Sequence, residues 1–332
     1  MTKVDAAAIR RTRVLASGEA AIDEAAACLR AGGLVAMPTE TVYGLAADAT
    51  NERAVAALYA AKGRPSFNPL IAHFADAAAA AQQAILNDDA RRLAEAFWPG
   101  PLTLVAPVGE ACRVGLLARA GLSTLALRVP AHPIAQSLIA AAGRPLVAPS
   151  ANRSGHVSAT SARHVLDDLE GRIDLILDDG PCRIGVESTI VACLDGGPKM
   201  LRPGAIAKDQ IEAALGRRLA NANSDPGAPL APGGLASHYA PRARLRLNAA
   251  HVGAGEVGLD FASRFIAAGG GPTLDLSPSG DLNEAAANLF AHLRRLDAGG
   301  AEAIAVAPVP TRGLGAAIND RLMRAASGHT VA

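Results

Sequence analysis

Lys62 and Arg64 stand two residues apart, where a predicted helix ends and a proline-bounded loop, Pro65-Ser66-Phe67-Asn68-Pro69, begins. A triphosphate needs several fixed cations, and the arginine fork matches phosphate oxygens. The same two side chains would serve equally to cap carbonyls at a helix C-terminus. Arg128 is a cation inside the apolar run Leu125-Ala126-Leu127-Arg128-Val129. A buried guanidinium needs an anion; Glu40, Glu187 or a bound carboxylate would each serve. Arg202, in Leu201-Arg202-Pro203-Gly204, poses the same question. His73 lies within the apolar run 70–74, on the face opposite to Ala72 and Phe74. A lone histidine of this kind is more often a hydrogen-bonded core residue than a ligand.

Two further segments carry small hydroxyls after predicted strands. Pro149-Ser150-Ala151-Asn152-Arg153-Ser154-Gly155 would let backbone approach a phosphate or a ribose. It reads equally as an ordinary turn capped by Asn and Ser. Glu187-Ser188-Thr189 has the same two readings. The sequence holds no G-x-x-x-x-G-K-[ST], no H-E-x-x-H and no G-x-S-x-G. Gly253-Ala254-Gly255-Glu256-Val257-Gly258 matches a dinucleotide fingerprint formally. That fingerprint should follow a strand and open a helix, whereas Glu256 to Leu259 reads as turn and strand. Arg242, Arg244 and Arg246 alternate, as on a charged edge strand protected from pairing. An RNA-contacting stripe is the rival reading of those three.

The elements that must position these residues alternate. Helices are expected over 17–30 (with Ser17 as cap), 51–61, 88–98, 133–142, 161–169 and 208–215. Strands are expected over 34–37, 70–74, 102–106, 124–129, 145–148, 173–177 and 189–193. Such alternation builds a sheet flanked by helices, with ligands gathering where strands end in polar loops. Residues 220–236 are rich in Asn, Ser, Pro and Gly without periodicity and read as a linker. A second unit follows, with strands over 244–247 and 303–306 and helices over 282–296 and 315–326. Asp281 is the expected cap of the first of these helices.

The 332 residues suffice for two domains, and 50% of them are hydrophobic against 3% aromatic. The core must therefore be built from Ala, Val, Leu and Ile. A net charge of +1 gives no electrostatic case for a nucleic-acid or membrane surface. Four scattered cysteines without a C-x-x-C argue against a disulfide framework or a zinc site. The first 13 residues lack an apolar signal region, and no apolar run is long enough to span a bilayer. A cytoplasmic location is expected.

Pro38-Thr39-Glu40-Thr41-Val42-Tyr43-Gly44, Lys62-Gly63-Arg64-Pro65 with Asn68-Pro69-Leu70, Pro149-Ser150-Ala151-Asn152, Glu187-Ser188-Thr189-Ile190 and Arg202-Pro203-Gly204 follow one another in fixed order. Together they resemble the YrdC-like threonylcarbamoyl-AMP synthase family. His238-Tyr239-Ala240-Pro241 and 313–322 resemble the tail of its two-domain members. The resemblance implies an α/β fold: a twisted mixed sheet with helices, then a linker and a small Rossmann-like C-terminal domain. The corresponding bounds are 1–216, 217–241 and 242–332. It implies L-threonylcarbamoyladenylate synthase activity: L-threonine, bicarbonate and ATP, with Mg2+, give threonylcarbamoyl-AMP and pyrophosphate. Downstream transferase proteins would carry the group to tRNA, and a direct tRNA contact is admitted.

Carried over by motif, Thr41, His73, Arg128 and Ser188 would hold threonine. Arg64, Asn68, Thr124, Ser150, Ser158 and Arg202 would hold the nucleotide, with Lys62 near its phosphates and Tyr239 closing over it. Ala148 departs from relatives that carry a hydroxyl there. No residue is assigned as a covalent catalyst, and the metal's ligands are unassigned. The main alternative is a non-enzymatic protein that binds double-stranded RNA or tRNA. A YrdC-containing carbamoyltransferase would need zinc-finger cysteines, and a nicotinamide oxidoreductase rests on the glycine match alone.

Overall fold

The computed structural model describes residues 11–221, 239–267 and 272–328. Most of the linker expected over 217–241, and His238 with it, lies outside the described residues. Eleven strands of the described chain form one mixed sheet. In chain order they are β1 (Arg13–Ala16), β2 (Val35–Met37), β3 (Gly44–Asp48), β4 (Ile71–His73), β5 (Leu102–Pro107), β6 (Thr124–Arg128), β7 (Leu146–Val147), β8 (Leu175–Asp178), β9 (Thr189–Leu194), β10 (Gly197–Arg202) and β11 (Ala220–Asn221). Their order in the sheet is β1-β8-β2-β3-β7-β4-β6-β5-β9-β10-β11. β8 thus inserts between β1 and β2, parallel to both.

A second sheet holds β12 (Arg244–Arg246), β13 (Glu256–Asp260), β14 (Thr273–Asp275) and β15 (Ala303–Val306), in the order β12-β15-β13-β14. All its pairings are parallel, as in a Rossmann-like layer. Glu256 opens a strand, so the glycine match at 253–258 runs from turn into strand and opens no helix. Arg242, Arg244 and Arg246 are exposed at the β12 edge; Arg246 pairs with Glu256, and Arg242 approaches Asp297 at 3.5 Å.

Local chemistry sets the element ends. Asn51 caps the Glu52–Lys62 helix by accepting from Arg53 N and Ala54 N. Gly63 ends it in the left-handed region (φ 60°), and the Arg64 amide returns to Tyr59 O. That turn sets Arg64 close enough to Lys62 for the two charges to act on each other. Asp281 caps the Leu282–Ala298 helix as expected. Ser17 does not cap the first helix. Gly18 takes that position, and the Ser17 hydroxyl turns to Asp179 instead.

The two sheets share apolar packing. Val42, Val157 and Val186 of the first unit join the core of the second, around Leu289, Phe290 and Ile318. At Gly185 (φ +81°) an added Cβ would lie 2.3 Å from Ala286 O. The loop before β9 therefore meets the Leu282–Ala298 helix backbone to backbone, which only glycine permits.

A candidate active site at the junction of two domains

The turn between β2 and β3 is closed by a side chain. Thr39 Oγ1 donates to Val42 O at 2.7 Å and lies 2.9 Å from Thr41 Oγ1. This presents Glu40 and Thr41 to Arg128 at the end of β6. Arg128 donates to Glu40 Oε1 at 2.5 Å and to Thr41 Oγ1 at 3.0 Å. Of the candidate anions, Glu40 is therefore the resident partner of Arg128. The Arg128 Nε and the Glu40 Oε2 are both buried without a partner. Burial pushes the Glu40 carboxyl up, but Arg128 beside it more than reverses this and holds it below its ordinary value.

His73 is the register partner of Arg128 across β4 and β6. Burial, and then Arg128, lowers its pKa to about 3. The ring is neutral at physiological pH. Its Nδ1 lies 3.1 Å from Ile71 O. A carbonyl only accepts, so the proton sits on Nδ1 and Nε2 keeps a lone pair.

Ser188 Oγ lies 2.8 Å from Thr103 Oγ1. Arg202 donates to Ser188 O at 2.9 Å and to Ser188 Oγ at 3.2 Å. Ser158 Oγ donates to Glu187 Oε1 at 2.6 Å. The other oxygen of Glu187 accepts from Arg321 Nε at 2.8 Å, across the domain junction. Burial raises the Glu187 carboxyl, but Arg321 and Arg202 outweigh it and keep the group ionised.

Lys62 is used differently from a surface cation. It is 3% exposed, and its Nζ donates to Ser150 O at 2.5 Å and to Asn152 O. It clamps the 149–155 loop by its carbonyls. Burial, with Arg64 alongside, pulls its pKa well below the ordinary lysine value. Arg64 donates to Asn68 O and Pro69 O at 3.3 and 3.0 Å, bracing the proline-bounded loop. Burial lowers its pKa to about 10.

Seven of the residues expected to bind ligand line one cavity: Arg64, His73, Arg128, Ser150, Ser188, Arg202 and Tyr239. Thr41 and Ser158 are tied to that lining through Arg128 and Glu187. Asn68 is buried beside Arg64, with its Oδ1 unpartnered. Thr124 stands at the opposite end of β6 from Arg128, outside the lining. Ala148 does line the cavity, so its missing hydroxyl bears directly on the site. Tyr239 is buried at φ +64°, stacked on Phe290 at 5.5 Å between centroids, and forms one wall. The cavity has a volume of about 40 Å³ and is partly open to solvent.

Sequence reasoning assigned no role to Arg321. The available signal was its place among Ile318, Leu322 and Ala325, on the buried stripe of an otherwise amphipathic helix. A charge on such a stripe must have a partner elsewhere.

A family model described as "Telomere recombination" matches residues 27–204. A second, "Threonylcarbamoyl-AMP synthase, C-terminal domain", matches residues 206–327. A relative from Bacillus subtilis (strain 168), named threonylcarbamoyl-AMP synthase, is 41% identical and covers 96% of this chain and 97% of its own. The chain belongs to the threonylcarbamoyl-AMP synthase family. Another family member, from Pyrococcus abyssi, is 41% identical over 92% of this chain and 94% of its own. A crystal structure of P. abyssi Sua5 complexed with L-threonine superposes with a TM-score of 0.85, at 37% identity over 97% of this chain and 98% of that one. The two-domain architecture expected from the motifs is therefore that of the family. No helix of the described residues is long and apolar enough to cross a membrane.

The lowered carboxyls of Glu40 and Glu187 are expected to make the fold sensitive to acid. A carboxylate whose folded pKa lies below its ordinary 4.5 stabilises the fold above that value and loses the contribution as pH falls through the folded value. The melting temperature is expected to fall as pH is taken from about 6 to about 3, less steeply in Glu40→Gln. Thermal denaturation at a series of pH values measures this. An identical slope in the variant removes Glu40 from the account.

Proposed function

We propose that the chain is an L-threonylcarbamoyladenylate synthase, forming threonylcarbamoyl-AMP and pyrophosphate from L-threonine, bicarbonate and ATP. The observation that carries the reading is Arg128. It is a buried guanidinium, fixed by Glu40 and Thr41, with a spare Nε beside the cavity wall. A small carboxylate is the natural partner for that spare donor. The P. abyssi structure with L-threonine supports the same ligand.

In this reading Arg128 takes the threonine carboxylate. His73 Nε2 accepts from the amino acid's hydroxyl or amine. Thr41 and Ser188 complete the threonine subsite. Arg64, Ser150, Ser158 and Arg202 surround the nucleotide, with Asn68 and Lys62 holding their loops in place. The amine of threonine and bicarbonate form a carbamate and release water. A carbamate oxygen then bonds to the α-phosphorus of ATP as the bond to pyrophosphate breaks. Such transfer asks for alignment and charge neutralisation, which Arg64 and Arg202 supply, and requires no side-chain nucleophile.

No cluster of three or more His, Cys, Asp or Glu is present among the described residues. Magnesium would arrive with the triphosphate and neutralise part of its charge. Tyr239, one wall of the cavity, would close over the bound nucleotide. Transfer of the product to tRNA would fall to separate downstream proteins.

The test is pyrophosphate release with ATP, magnesium, bicarbonate and threonine. Release should depend on threonine and on bicarbonate. Absence of threonine-dependent release overturns the reading. Tight, strongly salt-dependent RNA binding in its place would favour the non-enzymatic alternative.

A further inference from the structure

Arg321 sits on the Gly315–Ser327 helix of the second domain and is completely buried. Its Nε donates to Glu187 at 2.8 Å, and one terminal nitrogen donates to Pro203 O at 2.8 Å and to Asp320 at 2.7 Å. Its guanidinium carbon lies over the Tyr239 ring, 5.3 Å from the centroid. One side chain thus touches the segment before Ser188, the segment after Arg202, and the cavity wall. From the same domain, Arg294 donates to Val157 O, to Ser158 O at 3.3 Å and to Asp168 at 2.8 Å. Ser158 is therefore held twice from the second domain: by its carbonyl through Arg294, and by its hydroxyl through Glu187 and Arg321.

We propose that Arg321 is a positioning residue of the nucleotide subsite, acting through Glu187 on Ser158 and Arg202. The inference rests on the synthase reading above. The physical argument is competition for one carboxylate. Glu187 is buried, and two guanidiniums influence it: Arg321 by direct contact and Arg202 through its charge. While Arg321 occupies Glu187, Arg202 is bonded to Ser188 and faces the cavity. Without Arg321, the buried carboxylate needs a new cation, and Arg202 is next to it. Arg202 would then turn from the cavity toward Glu187, release Ser188, and leave Ser158 without an oriented acceptor. The second domain is, in this sense, part of the nucleotide subsite without touching the ligand.

The experiment is a double-variant cycle on the full chain, reading KM for ATP, KM for threonine and kcat by pyrophosphate release. Arg321→Met is expected to raise the ATP KM at least tenfold. In a Glu187→Gln background the same substitution should change it less than threefold, because no carboxylate remains to capture Arg202. Equal effects in the two backgrounds would show that Arg321 acts by packing alone and overturn the proposal. Should Arg321→Met fail to fold, Arg321→Lys decides. Lysine keeps a cation for Glu187, so an ATP KM within threefold of the unaltered chain's is expected, and a rise of tenfold or more would overturn the proposal. An unaltered chain without threonine-dependent turnover sinks the synthase reading instead, so the two failures are distinguishable.

Discussion

Replacing Arg128 with alanine is expected to raise the threonine KM by a factor of about 100 or more, while the ATP KM changes only a few-fold. Truncating one partner of a buried, hydrogen-bonded charge pair costs about 2–5 kcal/mol. At about 1.4 kcal/mol per tenfold, that spans roughly 30-fold to several thousand-fold. The cost falls on threonine because Arg128 bonds Thr41 and is the register partner of His73, three strands along the sheet from Arg202. The substitution also leaves Glu40 buried with no cation, and a broken buried pair of this kind destabilises a fold by about 3–5 kcal/mol. Stability and binding are separated by Arg128→Ala/Glu40→Gln, which should recover much of the lost melting temperature and none of the threonine affinity. Steady-state kinetics on both variants decide the matter. An equal rise in the two KM values would mean that Arg128 is a scaffold residue only.

Gly204→Ala should be nearly as damaging, by a different route. A Cβ at that position would lie 2.4 Å from Ser188 C, 2.4 Å from Thr189 N and 2.5 Å from Glu187 O. All three are backbone atoms, so no side chain can swing away. The start of β9 must move, and Ser188 and Glu187 move with it. Overpacking of this kind costs about 1–3 kcal/mol, a fall of several degrees in melting temperature at this chain length, on the order of 2–4 °C per kcal/mol. Turnover should fall by about 100-fold or more, since a displacement near 1 Å costs about that much in an aligned site. Gly18→Ala is the control, because nothing lies within 4 Å of a Cβ there. Near-normal kcat/KM in Gly204→Ala would show that the 187–204 contact does not set the site.

The contrast between these two residues explains what could be read in advance. Arg128 announces itself, as a charge amid Leu125, Leu127 and Val129 must have a partner. Its partner was only one of three candidates, because sequence order does not say which loop faces the end of β6. Gly204 gives no comparable sign, since its neighbours are backbone atoms that every residue possesses. Lys62 belongs with it: the residue drew notice, but its acceptors are two main-chain carbonyls. The alternation of helices and strands was visible in apolar runs. β3 and β10 were not, since Gly-Leu-Ala-Ala-Asp and Gly-Pro-Lys-Met lack the β-branched and aromatic residues that mark a strand. Their pairing is imposed by neighbours in the sheet. Arg321 was hidden because its helix reads correctly as a helix. Only the docking of two domains shows that one of its buried positions faces Glu187.

The insertion of β8 between β1 and β2 has a consequence for the way the chain is made. The N-terminal edge strand pairs with residues 175–178, as does β2 on the other side. Neither pairing can form until residue 178 has left the ribosome. During synthesis Val35–Met37 has only β3 to pair with, and its other flank stays an open strand edge. Edges of that kind are where nascent chains pair with the wrong partner. The central β8 segment, Leu-Ile-Leu-Asp, therefore acts as a late keystone. Its arrival sets the moment at which this half of the sheet ceases to be a hazard.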